Sequence, residues 1–147
     1  MKLTFRDATE KDWVTIRDAL SSAALPTDDL STAVVVSDFR VAESDDGRWC
    51  GAAAVQRYGS AGLLRSVIVS STGRGAGLGR RIVADAEAHA RQDGIEELWL
   101  LTIDADAFFA TLGYEPAARG SAPVAVRESA EFASLCPDDA VPMRKRL

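Results

Sequence analysis

Residues 73–81 read GRGAGLGRR, glycine at every second position with Arg74, Arg80 and Arg81 set among them. The run follows an apolar stretch, LLRSVIV, and leads into a helical pattern, IVADAEAHARQDG. Cations at a helix start oppose the macrodipole by about 0.3–1 kcal/mol each. An anion docked on the unpaired N–H groups of the first turn reverses that sign, and glycines let a pyrophosphate approach those groups closely. Of three phosphate-binding patterns, two fail. A G-x-G-x-x-G fingerprint begun at Gly73, Gly75 or Gly77 would need its last glycine at Leu78, Arg80 or Ile82, and the P-loop pattern meets Leu78 where it needs glycine. Gln/Arg-x-x-Gly-x-Gly/Ala is satisfied by Arg74, Gly77 and Gly79.

A second charge stands out upstream. Arg65 interrupts the apolar run, and strand alternation puts it on the face of Val67 and Val69. A charge embedded there needs a partner. Two readings stay open: an ion pair with Glu43, Glu96 or Glu97, or a fork that clamps the carboxylate of a bound molecule. Other titratable groups carry less. His89, the sole histidine, falls near Ile82 and Ala86 on the helix and ~18 Å from its start, the place of a half-buried structural residue. Glu43 is a candidate base, though its place beside a hairpin turn suits a solvated edge residue. Asp104/Asp106 and Asp138/Asp139 suit caps and loops, and no metal-ligand spacing appears, so no metal site is expected. Cys50 and Cys136 are isolated thiols, which suits a reducing compartment. Cys136 beside Pro137 raises arsenic coordination, for which it lacks a neighbouring thiol.

These residues need elements to carry them. LTFRDA alternates as a first strand, and Thr9 with Asp12 starts a helix in which Trp13, Ile16, Leu20 and Ala24 recur. Pro26 and TDDLST end it. DFRVAE, RWCGAAAVQRY and LLRSVIV, joined by DDG and GSAG turns, predict an antiparallel meander. From residue 78 the period becomes helical (Leu78, Ile82, Val83, Ala86, Ala90), Gly94 stops it, and ELWLLT reads as a buried strand. Strand, helix, strand at this spacing is a βαβ crossover, so 63–69 and 97–102 should run parallel. A short helix in DADAFFATLG, a strand near 114–118, a helix at 123–134 and a last strand in AVPMRKRL complete the chain. The expected fold is α/β, a mixed sheet with an N-terminal antiparallel meander joined to a parallel βαβ unit.

The motif VIVSSTGRGAGLG resembles the acetyl-coenzyme A motif of the GCN5-related N-acetyltransferase (GNAT) superfamily, and LWLLTIDADAFFATLGY resembles that superfamily's following strand, helix and Gly-aromatic close. LLRSVIV and FASLCP are similar to the arsenic-resistance-associated ArsN branch. The resemblance implies acetyl-CoA as cosubstrate, held by Arg74, Gly75, Ala76, Gly77, Leu78, Gly79 and Arg80 at its phosphates. It further implies that the two parallel strands splay to admit the pantetheine against the main chain of Val67, Ile68 and Val69, with Thr102, Phe108 and Phe109 alongside. Ile68, through its N–H, and Ser66 are the implied catalytic positions. The tyrosine that often protonates the leaving thiolate is replaced by Phe109, and Thr102 stands where asparagine is common. Ser66, Tyr58, Tyr114 or water would then supply the proton. The ArsN likeness implies an anionic amino-acid-like amine of the phosphinothricin or arsinothricin type, bound by Arg65, Ser66 and Arg119, with Arg127 as a further candidate.

Composition sets the outer bounds. A chain of 147 residues, 47% hydrophobic and 27% charged, fits one domain spanning 1–147. A net charge of -5 argues against generic nucleic-acid binding. No apolar run approaches the roughly 20 residues that span a bilayer, and charges through the first 25 residues argue against a signal peptide, so a cytoplasmic location is expected. The expected partner is a small-molecule amine, with neither nucleic acid nor membrane. Superfamily members often dimerise, which leaves a homodimer open. The competing functions are acetylation of a protein N-terminus or another amine such as an aminoglycoside, and a non-catalytic CoA-binding sensor.

Overall fold

The computed structural model describes residues 2–70, 77–135 and 139–147. Seven strands form one sheet: β1 (Leu3–Asp7), β2 (Phe39–Ser44), β3 (Trp49–Tyr58), β4 (Ala61–Val69), β5 (Glu97–Thr102), β6 (Glu115–Pro116) and β7 (Val141–Arg146). Their spatial order is β1-β2-β3-β4-β5-β7-β6. The β1–β4 meander is antiparallel, as the short turns require, and β4–β5 is the parallel pair. β7 then returns antiparallel between β5 and β6.

Helix α3 (Leu78–Gln92) covers one face of the sheet. Its Leu78, Ile82, Val83, Ala86 and Ala90 are buried with Leu64, Leu98 and Leu100. Gly51 marks the closest approach: a Cβ there would lie 2.5 Å from Ile82 Cδ1 and 2.4 Å from the Ile68 carbonyl oxygen. On the opposite face α1 (Trp13–Ser22) and α2 (Thr32–Asp38) bury Ile16, Leu20 and Val35 against Phe39, Val41, Ala52, Ala54 and Ile68. Beside them, Leu63 and Trp99 pack under Ala122, Val126 and Phe132 of the C-terminal section. Helices α4 (Asp106–Thr111) and α5 (Val124–Arg127) are short.

Three local expectations change. TAVVVSD forms α2, which the β-branched run Val34–Val36 disguises; Ser31 starts it by accepting from the Val34 N–H at 3.3 Å. The single helix expected at 123–134 is α5 followed by a π-type turn, Glu131–Leu135, separated at Ser129, whose hydroxyl donates to the Val126 carbonyl at 2.6 Å. The face of Arg65 also differs. Ser66 sits at φ 57°, and the β3–β4 register slips between Ala52 and Ala54. This bulge resets the alternation. Arg65 therefore lies on the α1/α2 face with Ile68, while Val67 and Val69 pack toward α3.

Candidate active site

The β4–β5 pairing covers only Ala61–Leu63 against Glu97–Trp99. Beyond it the strands part, because the Ser66 bulge bends β4 while β5 stays paired with β7 along its whole length. The Ser70 N–H donates to the Cys50 carbonyl of β3 at 2.8 Å. Successive strand amides alternate sides, so Ile68 points its N–H at β3, where it pairs with Ala52, and Val67 and Val69 point theirs into the gap. This corrects the assignment of an oxyanion donor to Ile68: the main-chain donors that face the gap belong to Val67 and Val69.

Helix α3 begins at the open end of that gap. Gly77 takes φ 73° ahead of it, Leu78 is buried, Gly79 is half-buried and Arg80 is exposed. At 15 residues, α3 presents a full set of first-turn N–H groups. A Cβ on Gly79 would lie 3.3 Å from Phe108 Cζ and 3.6 Å from Val69 Cγ2, so α4 places the Phe108 ring against both the helix start and the end of β4. Arg74, Gly75 and Ala76, three of the expected phosphate ligands, lie outside the described residues, as does Cys136.

The proton donors sort by their surroundings. Phe109 is buried edge-on between Phe108 (5.1 Å between centroids) and Tyr114 (5.6 Å). Tyr114 donates to Glu87 Oε2 at 2.8 Å, and burial, then Glu87, hold its phenol far above its ordinary value, so its proton is engaged by Glu87. Tyr58, also raised chiefly by burial, opposes Ala61 at the far end of β4. Ser66 is buried on the bulge itself and accepts from Arg65 Nε at 3.2 Å. Thr102 accepts from the Ala105 N–H at 3.0 Å, capping the turn into α4. Glu43 is held by Arg6 at 2.6 Å, and His89 is half-buried near Asp7 (3.7 Å) and Asp93 (4.0 Å).

The Arg65 guanidinium is fully buried and paired, with partners other than those expected from sequence. Nη1 donates to Asp29 Oδ2, Nη2 to the Pro26 carbonyl at 3.2 Å, and Glu131 lies 3.8 Å from Nε. Burial holds the Asp38 carboxyl above its ordinary value, and Arg65 is near enough to oppose that rise. Asp29, Asp38 and Glu131 come from three elements remote in sequence; only the need of an embedded arginine for a counter-ion announces them. Arg119 donates to the carbonyls of Phe132 (3.0 Å) and Ala140 (3.5 Å), tying down the C-terminal section. Arg127 is exposed. The described residues contain no group of His, Cys, Asp or Glu arranged to hold a metal ion and no helix long and apolar enough to cross a membrane.

A parted parallel strand pair, a bulge at its fork and a glycine-led helix at its mouth form a slot for a long polyanionic cofactor. Family comparison agrees. The Acetyltransferase (GNAT) domain model matches residues 36–116, more than half of the chain. The chain belongs to the GNAT acetyltransferase family. The GNAT fold is shared over 100% of this chain, at 22% identity and TM-score 0.85, with N-acetylglutamate synthase from Neisseria gonorrhoeae, solved with coenzyme A and N-acetyl-glutamate. The chain spans only 35% of that synthase. Rv2747 from Mycobacterium tuberculosis, solved with CoA, aligns over 98% of this chain and 99% of its own (23% identity, TM-score 0.81). PaiA N-acetyltransferase from Thermoplasma acidophilum, also with coenzyme A, aligns over 100% of both chains (14%, 0.71). At these identities the likeness is one of fold. None of these relatives is an ArsN protein by description. A search of curated protein sequences finds no match.

Proposed function

We propose that this GNAT domain transfers the acetyl group of acetyl-CoA to the primary amine of a small amino-acid-like molecule that carries a carboxylate. The supporting observation is the fork: amides of Val67 and Val69 directed into a gap that β5 leaves unpaired, with the start of α3 at its mouth. The pyrophosphate sits on the α3 amides from Gly77 to Arg80, beside Arg80. The thioester oxygen, on accepting from the Val67 or Val69 N–H, is stabilised as the tetrahedral oxyanion forms. The neutral amine attacks, a C–N bond forms and the C–S bond breaks. The amine gives up a proton to water, and the thiolate takes one from water or from the Ser66 hydroxyl, which water then reprotonates. With a thiol pKa of about 8.5, the leaving group tolerates the absence of a tyrosine at Phe109.

Arg65 beside the fork is the group suited to the acceptor's carboxylate, and the nearby Glu131 suits its ammonium. Phosphinothricin- or arsinothricin-type amino acids are the anionic acceptors that the ArsN resemblance brings forward. One observation favours a second reading, a cationic amine such as a protein N-terminus: three carboxylates, Asp29, Asp38 and Glu131, surround the one arginine. Thiol release from acetyl-CoA across an amine panel decides. Turnover with L-glutamate or L-phosphinothricin above that with their amides supports the proposal; preference for the amides or for peptide N-termini supports the second reading. Tight acetyl-CoA binding with no turnover on any amine removes both and leaves a CoA-binding sensor.

A further inference from the structure

The segment between α1 and α2 is built as a strap. It leaves α1 through Ala24 at φ 57°, a left-handed conformation that costs a residue with a Cβ about 1 kcal/mol or more. Leu25 and Leu30 close two turns by donating to Leu20 (3.0 Å) and Thr27 (3.0 Å). Between them, Pro26 and Asp29 both reach Arg65: the carbonyl of one and the carboxylate of the other share the guanidinium. Asp29 is not a fully internal residue. Its side chain is 20% exposed, while that of Arg65 is at 0% and that of Glu131 at 7%. One Asp29 oxygen, Oδ1, is buried without a hydrogen-bond partner among the described residues. A carboxylate with one oxygen engaged and the other unsatisfied is held less favourably than a ligand that satisfies both. Glu131 remains beside Arg65 whether or not Asp29 is there, so the arginine keeps a counter-ion if Asp29 leaves.

We infer that Asp29 is a stand-in for the acceptor: its carboxylate occupies the Arg65 fork until the acceptor's carboxylate exchanges with it, and this exchange makes Asp29 the specificity-determining residue of the acceptor site. The inference rests on the proposed reading of Arg65 as the carboxylate-binding group. It gives selectivity a physical source. An amine without an anionic group cannot displace Asp29, so it meets a strap that stays fastened over the site. An amine with one releases Asp29 together with the Pro26 contact and the strained turn at Ala24. The carboxylate count around Arg65, which by itself favours a cationic amine, then includes one carboxylate that is exchangeable.

Two measurements on the full chain separate this inference from the reading beneath it. In steady-state kinetics with L-glutamate and L-aspartate, each set against its diamide, Asp29→Asn lowers KM for the carboxylate forms three- to tenfold. It leaves their kcat, and KM for acetyl-CoA and the carboxamides, within twofold. Asp29→Ser, shorter still, gives the same pattern. A rise in KM for carboxylates and carboxamides alike would make Asp29 a ligand of the amine and overturn the inference, as would unchanged constants in both variants. In hydrogen exchange without acceptor, either variant speeds exchange at the Leu25 and Leu30 amides at least tenfold and leaves α3 amides unchanged; no change there would show that Asp29 does not fasten the strap. If wild-type protein binds acetyl-CoA yet acetylates none of these amines, the functional reading fails, and the exchange experiment still decides whether Asp29 is the fastener.

Discussion

Two buried ion clusters lie on opposite faces of the same sheet, and they are finished differently. On the α3 face, Glu87 is saturated: Lys145 Nζ stands 3.0 Å from each oxygen, and the Tyr114 hydroxyl donates to Oε2 at 2.8 Å. On the α1/α2 face, Asp29 meets Arg65 with one oxygen and leaves the other unsatisfied. A closed cluster joins elements; here it ties α3 to β7 and, through Tyr114 against Phe109 and Phe109 against Phe108, to the wall of the cofactor slot. A cluster left short of partners is suited to exchange.

The largest effect comes from opening the closed cluster. Glu87→Ala strands the Lys145 ammonium and is expected to cost about 3 kcal/mol in urea unfolding. Asp29→Asn should cost less than half of that, because Glu131 stays beside Arg65. Equal losses would erase the distinction between the two clusters. Next, Tyr114→Phe removes one hydrogen bond to a charged group, with an expected loss of about 1.5 kcal/mol and kcat within twofold of wild type. A fall in kcat of ~10²-fold or more would instead make Tyr114 the general acid.

The smallest effect sharpens the comparison with a cluster nearer the surface. Asp12 accepts from Arg6 at 2.8 and 2.9 Å and from the Thr9 N–H at 2.7 Å, and the Arg6 bond, more than any other cause, lowers its pKa. A depressed carboxyl pKa stabilises the fold above the unfolded-state value, about 3.9, and that contribution is lost as pH falls through the folded-state value. Asp12→Asn should therefore cost about 1 kcal/mol at pH 7, and the gap to wild type should close below about pH 4. Urea midpoints across pH measure it; a gap that persists in acid would assign the loss to packing.

What could be read from sequence follows the same division. The cofactor side depends on main-chain groups, and these leave local signatures: the glycines before α3, the apolar period of α3 and the strands on either side. The proposed acceptor side depends on side chains that meet only in the fold. Arg65 announced that a carboxylate must exist, but Asp29 and Glu131 lie 36 and 66 positions away, and nothing local marks them. No glycine marks the bulge at Ser66, so strand alternation puts Arg65 on the wrong face. α2 was hidden by three consecutive valines whose intrinsic preference is for strands; packing of Val35 outweighs it. Glu87 is legible in the sequence, since it adjoins Ala86 and falls four after Val83, on the apolar stripe of α3.

We propose above all that the amides of Val67 and Val69, directed into the β4–β5 gap, polarise the thioester. Isotope-edited infrared spectroscopy of acetyl-CoA labelled at the thioester carbonyl tests this without reference to any acceptor. A carbonyl stretch displaced to lower frequency on binding is expected, in wild type and in Asp29→Asn alike. A bound thioester whose carbonyl absorbs where it does in water, or at higher frequency, would contradict it.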